Sequence, residues 1–189
     1  MWQADSNTSI NGIDGGVDIN FDFAGPIRHK DTWVFSNGSW WYQYKNGSYP
    51  SNGWAYIDNA WYYFDSAGWM QTGWVLSNGS WYYLNSSGAM LNGWQWVNGS
   101  WYYLDPANGA MVTGWLRIGN DYYYMRGNGS MVTGWRKMDG KYYYFNGSGK
   151  LVRGWADIDG KRYFLQQDGT MLTGWQTIDG LLYYFDANG

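Results

Sequence analysis

Residues 73–84 read GWVLSNGSWYYL, and the polar segment NSSG follows at 85–88. Strand-forming residues flank the dipeptide Asn78-Gly79 on both sides. This dipeptide tolerates the positive φ angles that the two-residue turn of a β-hairpin requires. The stretch therefore predicts a hairpin followed by a polar loop.

A turn at this dipeptide divides the predicted hairpin into two faces, because alternate residues of a strand point to opposite sides. One face carries Trp74, Leu76, Trp81 and Tyr83. Equivalent positions of the opposite face hold apolar residues along the chain, so we expect that face to pack. The first face acquires charged residues such as Arg117 in later units, so we expect it to meet water.

The same pattern recurs with a period of 20 or 21 residues, which is the sequence signature of a repeat architecture. An irregular unit begins at Trp33. Hairpins of this size cannot bury a face alone, so we expect about eight of them in residues 33–189 to stack into an all-β solenoid. The Gly-Trp pairs of the regular units end at Trp54, Trp74, Trp94, Trp115, Trp135, Trp155 and Trp175.

The composition excludes several functional classes. The 189-residue chain contains no cysteine and a single histidine, His29, which excludes a zinc cluster and a thiol nucleophile. Its net charge of -3, with Lys and Arg scattered singly, argues against a nucleic-acid partner. No apolar stretch is long enough to span a bilayer, and the first residues do not resemble a signal peptide. We expect neither a metal nor a cofactor.

Two interpretations compete for the 16 Trp and 19 Tyr residues of the chain. In the first, the rings replace the scarce aliphatic residues of the core. In the second, two indoles on a face that tolerates Arg, Lys and Asp form an open cage, and the paired Trp residues fit this interpretation better. Such a cage suits a quaternary ammonium ion, which each ring face attracts by about 0.5 to 2 kcal/mol.

The pattern of Gly-Trp, turn, Trp-Tyr-Tyr, Gly-x-Met and Thr-Gly-Trp resembles the choline-binding repeats of pneumococcal surface proteins and of phage and bacterial cell-wall lysins. The resemblance covers residues 33–189, and the segment GAMVTGW at 109–115 is a close match. It implies a left-handed β-solenoid of stacked β-hairpins in which choline lies between neighbours. Each site would use two Trp of one unit, a Tyr of the following unit and often a Met.

Carried over by position, the resemblance predicts a series of choline sites. We take the third residue of each Trp-Tyr-Tyr as the partner from the following unit, with the middle Tyr as the alternative. The floor residues are predicted to be Met70, Met90 and Met111. The predicted ring sets are Trp33 and Trp40 with Tyr63, Trp54 and Trp61 with Tyr83, Trp74 and Trp81 with Tyr103, Trp94 and Trp101 with Tyr124, and Trp115 and Tyr122 with Tyr144.

The later units depart from this pattern. Tyr122 replaces the second Trp of its ring set, so that site is predicted to be weaker. Arg162 places a cation where the cation of the ligand would lie, so Trp155 is predicted to frame no choline site. These units also resemble glucan-binding and clostridial toxin repeats, which bind carbohydrate. A carbohydrate-binding module is therefore the alternative function.

Residues 1–23 resemble the closing segment of family 25 glycoside hydrolases, in which the position of Asp18 lines the mouth of the active site. The rest of that barrel, with its catalytic carboxylates, is absent, so we expect no enzymatic activity. Residues 24–32 form the predicted linker. The resemblance thus implies the non-catalytic, wall-binding part of a lysozyme-type endolysin.

The implied ligand is choline or phosphocholine on teichoic acids, bound at the bacterial wall after release from the host cytoplasm. A homodimer through the last hairpin is also expected, because Leu181 and Leu182 have no following unit to cover them. Assembly with the full-length endolysin is a second expected partnership. Neither nucleic acid nor membrane insertion is expected.

Overall fold

The computed structural model describes residues 30–189, and this part of the chain contains sixteen strands of five residues and no helix. The predicted hydrolase remnant at 1–23 and most of the predicted linker, with Asp18 and His29, lie outside the described residues. The strands are β1 (Thr32–Ser36), β2 (Ser39–Gln43), β3 (Gly53–Ile57), β4 (Ala60–Phe64), β5 (Gly73–Ser77), β6 (Ser80–Leu84), β7 (Gly93–Val97), β8 (Ser100–Leu104), β9 (Gly114–Ile118), β10 (Asp121–Met125), β11 (Gly134–Met138), β12 (Lys141–Phe145), β13 (Gly154–Ile158), β14 (Lys161–Leu165), β15 (Gly174–Ile178) and β16 (Leu181–Phe185).

Each strand pairs antiparallel with one chain neighbour, so residues 30–189 form eight two-stranded sheets, numbered here as hairpins 1 to 8. No strand of this part of the chain pairs with a strand of another hairpin. The predicted all-β fold of repeated hairpins is confirmed. The left-handed winding and the domain boundaries at 23 and 32 stay predictions. The described residues offer no helix that could cross a bilayer.

The turns have the chemistry that the sequence predicts. In hairpin 3, Asn78 and Gly79 have φ angles of 48° and 79°. In hairpin 6, Asp139 and Gly140 have φ angles of 49° and 80°. Asn, Asp and Gly are the residues that adopt this left-handed region most readily. Both turns contain two residues and give the same strand register, which keeps alternate residues on opposite faces.

Contacts divide the chain into two compact units, residues 1–91 and residues 92–189. Within the described residues, the first unit contains hairpins 1 to 3 and the second contains hairpins 4 to 8. Every hairpin has two faces, named here from hairpin 2. The Trp face of hairpin 2 carries Trp54, Tyr56, Trp61 and Tyr63, and its apolar face carries Ala55, Ile57, Tyr62 and Phe64.

In the first unit, the core lies between successive hairpins. Tyr42 on the Trp face of hairpin 1 packs with Ala55, Ile57 and Phe64 of hairpin 2, and Phe64 is completely buried. Trp33 of hairpin 1 borders the same cluster. The predicted packing face therefore covers the Trp face of the preceding hairpin.

The second unit repeats this arrangement. Ile158, Tyr163 and Leu165 on the apolar face of hairpin 7 form a buried cluster. Trp135 and Tyr144 of the Trp face of hairpin 6 pack against it. Packing of unlike faces is thus common to both units.

Within each unit, the linker after a hairpin reaches back to the hairpin before it. In the first unit, the backbone N–H of Met90 donates to the carbonyl oxygen of Trp61 in hairpin 2 at 2.8 Å. The next N–H, that of Leu91, donates to Tyr83 of its own hairpin 3 at 2.8 Å. Each linker therefore joins two successive hairpins through alternate backbone groups.

The polar loops satisfy their own backbone groups. The side-chain oxygen of Asn85 accepts hydrogen bonds from the N–H groups of Ser87 and Ala89 at 2.9 and 3.0 Å. Asp65 accepts the equivalent bonds from Ala67 and Trp69 in the preceding loop. These bonds hold the chain in the tight bend from which the linker begins.

Substitution of two glycines, one in the turn of hairpin 3 and one in the loop after it, distinguishes the cost of backbone strain from the cost of steric overlap. Gly79 and Gly88 have φ angles of 79° and 81°, but a Cβ at Gly79 would meet open space whereas one at Gly88 would overlap the Met70 side chain. We expect Gly79→Ala to lower the free energy of unfolding by about 1 kcal/mol, the cost of a left-handed conformation. Gly88→Ala should lower it further. Urea denaturation measures both values, and equal losses would contradict the packing of Met70.

A loop carboxylate in the second unit makes stability depend on pH. Hydrogen bonds from the hydroxyl and the backbone N–H of Thr170, at 2.6 and 2.9 Å, hold the pKa of Asp168 below its ordinary value of 3.8. A lowered pKa in the folded state stabilises the fold above the unfolded pKa, and this stabilisation is lost as the pH falls through the folded pKa.

We therefore expect Thr170→Val to lower the free energy of unfolding at neutral pH, since it removes the hydroxyl donor. The deficit relative to the wild type should shrink in buffers more acidic than the pKa of Asp168. Thr173→Val, at an exposed position of the same linker, is the control and should show no pH-dependent deficit. Denaturation curves at both pH values test this, and a deficit independent of pH would count against the assigned bonds.

Candidate ligand-binding sites between hairpins

The Trp face of hairpin 2 has a partly buried half and an open half, whereas in hairpin 5 the base residue Trp115 is itself 46% exposed. In hairpin 2, Trp54 opposes Tyr63 near the base, and Tyr56 opposes Trp61 near the turn. The two base rings are partly buried, whereas Tyr56 is 58% exposed and Trp61 is 44% exposed. The sequence predicted that the whole face meets water, but only the half near the turn does. The base half is covered because the apolar face of the next hairpin packs on it.

The base Trp is held between two hairpins. The ring of Trp54 lies 5.1 Å from Tyr63 in its own hairpin and 4.8 Å from Tyr82 in hairpin 3, with both contacts edge to face. Its indole N–H donates to the hydroxyl of Ser77 in hairpin 3 at 3.2 Å. Trp33 of hairpin 1 makes the equivalent ring contact with Tyr62 at 4.7 Å. The middle Tyr of Trp-Tyr-Tyr is thus the ring that meets the preceding hairpin.

The second unit repeats this contact between the base Trp and the middle Tyr of the next hairpin. The pairs are Trp94 with Tyr123 at 5.0 Å, Trp115 with Tyr143 at 5.4 Å, Trp135 with Tyr163 at 4.8 Å, and Trp155 with Tyr183 at 4.9 Å.

The third Tyr of each Trp-Tyr-Tyr, chosen from the sequence as the partner from the following unit, contacts the base Trp of its own hairpin instead. The ladder register explains this, because it sets the third Tyr directly opposite that Trp on the same face. The middle Tyr lies on the opposite face, which meets the preceding hairpin. The own-hairpin pairs are Trp54 with Tyr63 at 5.1 Å, Trp74 with Tyr83 at 4.9 Å, Trp94 with Tyr103 at 5.1 Å, Trp115 with Tyr124 at 5.3 Å, and Trp135 with Tyr144 at 5.0 Å.

In hairpins 3 and 4, the second Trp forms an open corner with the base Trp. Trp74 and Trp81 lie 6.5 Å apart with their planes at 88°, and Trp94 and Trp101 lie 6.3 Å apart at 89°. Two indoles at a right angle present ring surface from two directions to a group placed between them. The exposed fractions of the second Trp residues are similar, at 44% for Trp40, 44% for Trp61, 43% for Trp81 and 41% for Trp101.

Methionines of the linkers are joined to the second Trp residues through backbone hydrogen bonds. The backbone N–H of Met70 donates to the carbonyl oxygen of Trp40 at 2.7 Å. The backbone N–H of Met90 donates to the carbonyl oxygen of Trp61 at 2.8 Å. Met111 lies in the second unit, where it forms a bridge with Leu104. The backbone N–H of Met131, a residue outside the predicted set, donates to the carbonyl oxygen of Trp101 at 2.8 Å. The 20-residue period could have identified it, since Met131 follows Met111 by one repeat.

Three ring sets with a linker Met are complete within one unit. Trp74 and Trp81 belong to the first unit and Tyr103 to the second, and their association stays a prediction. So does the role of any of these residues in binding choline. The complete sets are Trp33, Trp40, Tyr62 and Met70; Trp54, Trp61, Tyr82 and Met90; and Trp94, Trp101, Tyr123 and Met131.

In the later hairpins, cations of the chain itself lie over the exposed rings. The guanidinium carbons of Arg117 and Arg153 lie 5.6 and 4.7 Å from the ring centre of Tyr122. Lys137 lies over Tyr142 at 5.1 Å. The positions equivalent to Arg117 and Lys137 in hairpins 1 to 4 are aromatic or aliphatic, namely Phe35, Tyr56, Leu76 and Trp96.

Two phenols at contacts between hairpins, those of Tyr42 and Tyr143, stay protonated at neutral pH. Burial, followed by the charges of Asp168 and Asp139, raises the pKa of Tyr143 above 10.0. Burial also raises the pKa of Tyr42. The rings therefore offer neutral π faces. His, Cys, Asp and Glu side chains do not gather into a group able to hold a metal ion anywhere in residues 30–189.

Stacked hairpins with aromatic corners define a repeat protein with a row of sites suited to a small cation. The family described as the choline-binding repeat matches residues 51–92, 72–113, 91–133, 112–154 and 152–189. The chain belongs to the choline-binding repeat family. The match begins at hairpin 2 and extends to the last hairpin.

Solved structures from pneumococcus are similar. Choline binding protein F from Streptococcus pneumoniae is 40% identical with a TM-score of 0.78 over 85% of this chain and 56% of that chain. CbpJ from Streptococcus pneumoniae TIGR4 is 38% identical with a TM-score of 0.78 over 85% of this chain and 57% of that one. The modular autolysin LytC from Streptococcus pneumoniae is 30% identical with a TM-score of 0.58, over 82% of this chain and 37% of that chain. The chain thus spans little more than half of CbpF and CbpJ. No curated protein matches it.

Base and corner indoles should differ in their effect on stability. We expect Trp54→Ala to lower the free energy of unfolding by about 3 kcal/mol, because it empties a contact between two hairpins. Trp61→Ala removes the same indole from an exposed position and should cost about 0.5 kcal/mol. Denaturant unfolding measures both. A loss for Trp61→Ala as large as that for Trp54→Ala would contradict the division of the Trp face into two halves.

Proposed function

We propose that this chain is a non-catalytic module that binds choline or phosphocholine on teichoic acids and anchors an endolysin to the bacterial cell wall. The observation that carries this proposal is the exposed right-angle corner of two indoles, of which Trp94 and Trp101 are an example. Membership of the choline-binding repeat family supports the same ligand.

The chemistry of the corner suits a trimethylated ammonium group. Such a group is bulky, weakly hydrated and cannot donate a hydrogen bond, so ring faces replace its water at little cost. The exposed second Trp offers apolar surface to its methyl groups. Three rings at about 0.5 to 2 kcal/mol each provide about 1.5 to 6 kcal/mol, a range whose middle corresponds to an affinity near millimolar.

Attachment to the wall would come from repetition of such sites. Several weak sites in one chain, facing a polymer that displays many choline groups, raise each other's effective concentration. The net charge of -3 adds a mild attraction for cations. The module would act at the wall after release from the host cytoplasm, together with the catalytic domain that the resemblance of residues 1–23 implies.

The partner assignments are part of this proposal. Residues 1–23 would be the end of a lysozyme-type hydrolase. In hairpin 8, Leu181 and Leu182 are more than half exposed, which supports a proposed contact with a second copy or with the full-length endolysin.

A carbohydrate-binding module is the second candidate function, and one feature of the last two hairpins favours it. A cavity of about 510 Å³ is lined there by Trp155, Arg162, Tyr183 and Asp186, among others. Arg162 lies over the indole of Trp155 at 5.4 Å and pairs with Asp157 at 3.4 Å. An aromatic platform beside charged hydrogen-bonding groups suits a sugar ring with its hydroxyl groups.

Choline titration followed by tryptophan fluorescence tests the main proposal. We expect saturable quenching or enhancement at millimolar choline and no response to ethanolamine, which lacks the methyl groups. Retention on a tertiary-amine matrix with elution by choline should accompany it. No response at tens of millimolar choline, together with a response to glucan oligosaccharides, would favour the carbohydrate alternative.

Variants assign the response to the corners. Trp61→Ala and Trp81→Ala together should reduce the signal and weaken retention on the matrix, while circular dichroism shows the hairpins intact. Trp175→Ala is the matched control, since this exposed indole belongs to the last hairpin. An equal loss with the control would contradict the assignment of the binding to hairpins 1 to 4.

A further inference from the structure

Tyr122 in hairpin 5 is the one ring among the described residues that has two side-chain cations over it. Arg117 stands opposite it in the ladder, on the same Trp face, with its guanidinium carbon 5.6 Å from the ring centre. Arg153 comes from the linker that precedes hairpin 7, and its guanidinium carbon lies closer, at 4.7 Å. Neither arginine forms an ion pair with a carboxylate of residues 30–189.

The backbone delivers Arg153 to this ring in the way that other linkers reach their corners. The N–H of Leu151 donates to the carbonyl oxygen of Tyr122 at 2.7 Å, just as the N–H of Met90 donates to Trp61. Arg153 follows Leu151 by two residues. The residues two positions after the other linker anchors are polar and uncharged, namely Thr72, Asn92, Thr113, Thr133 and Thr173. Among these equivalent linker positions, only position 153 holds a cationic residue.

The arginine covers the ring. Trp40, Trp61 and Trp101, which occupy the position of Tyr122 in other hairpins, are all more than 40% exposed. Tyr122 is only partly exposed, although its ring is smaller. A guanidinium stacked on an aromatic ring uses the same π face that a quaternary ammonium would need. Its positive charge also repels a second cation.

We propose that Arg153 is a built-in cation that closes the ring site of hairpin 5 to choline. This inference rests on the proposed function. It assigns the loss of the site to Arg153, rather than to the replacement of Trp by Tyr at position 122, and it revises the predicted site at Trp115, Tyr122 and Tyr144. Arg153 is then a specificity-determining residue that acts by occupying the position of the ligand.

The test is the number of choline molecules bound per chain, measured by equilibrium dialysis with labelled choline at high protein concentration. We expect Arg153→Thr, which restores the residue found at four equivalent positions, to bind one choline more than the wild type. Arg136→Thr is the matched control. It removes the same charge from an exposed residue of the same unit that makes no ring contact recorded in residues 30–189. Its stoichiometry should equal that of the wild type.

A second pair of variants separates the arginine from the ring. Tyr122→Trp alone should gain no site, because Arg153 still covers position 122. Tyr122→Trp combined with Arg153→Thr should gain one site. Near-ultraviolet circular dichroism confirms that each variant keeps the aromatic packing of the wild type.

The outcomes distinguish this inference from the proposed function. Equal stoichiometry for the wild type and Arg153→Thr would overturn the inference, as would a gain from Tyr122→Trp alone, while choline binding by the wild type would leave the proposed function standing. No choline binding by any of these proteins would overturn both.

Discussion

The edge-to-face contact between the base Trp of one hairpin and the middle Tyr of the next is the interaction on which the stacking depends. Strands pair only within hairpins in residues 30–189, and an isolated two-stranded hairpin is marginally stable. Cohesion within each unit must therefore come from side chains and from the backbone bonds of the linkers. Each aromatic pair contributes about 0.5 to 1.5 kcal/mol beyond the apolar area that it buries.

The same contact creates the candidate sites. Covering the base half of the Trp face fixes the position of Trp54 and leaves Trp61 near the turn uncovered. The indole corner is thus formed by folding, before any ligand arrives, and little side-chain freedom is lost on binding. A repeat that packs through its base rings consequently holds one indole of each corner in place and leaves the second one exposed.

The later hairpins carry most of the positively charged side chains of the protein. Nine of the 12 Lys and Arg residues lie between positions 117 and 162, where cations of the chain contact Tyr122, Tyr142 and Trp155. In hairpins 1 to 4 the corresponding outer positions are apolar. An aromatic face attracts whichever cation is nearest, and a tethered guanidinium is always near. The later rings therefore share the aromatic framework of the earlier ones, but cations of the chain itself lie over them.

Local rules were enough to read the hairpins, the turns and the two faces from the sequence. Turn residues such as Asn78 and Gly79 set the register, and strand alternation then separates the faces, so no distant residue enters the argument. The pairing of Trp54 with Tyr82, rather than with Tyr83, depends on which face of the next hairpin comes to lie on it. The place of Arg153 above Tyr122 depends likewise on the path of a linker. Such contacts join residues of different hairpins, and a repeat period gives their spacing along the chain but not their direction in space.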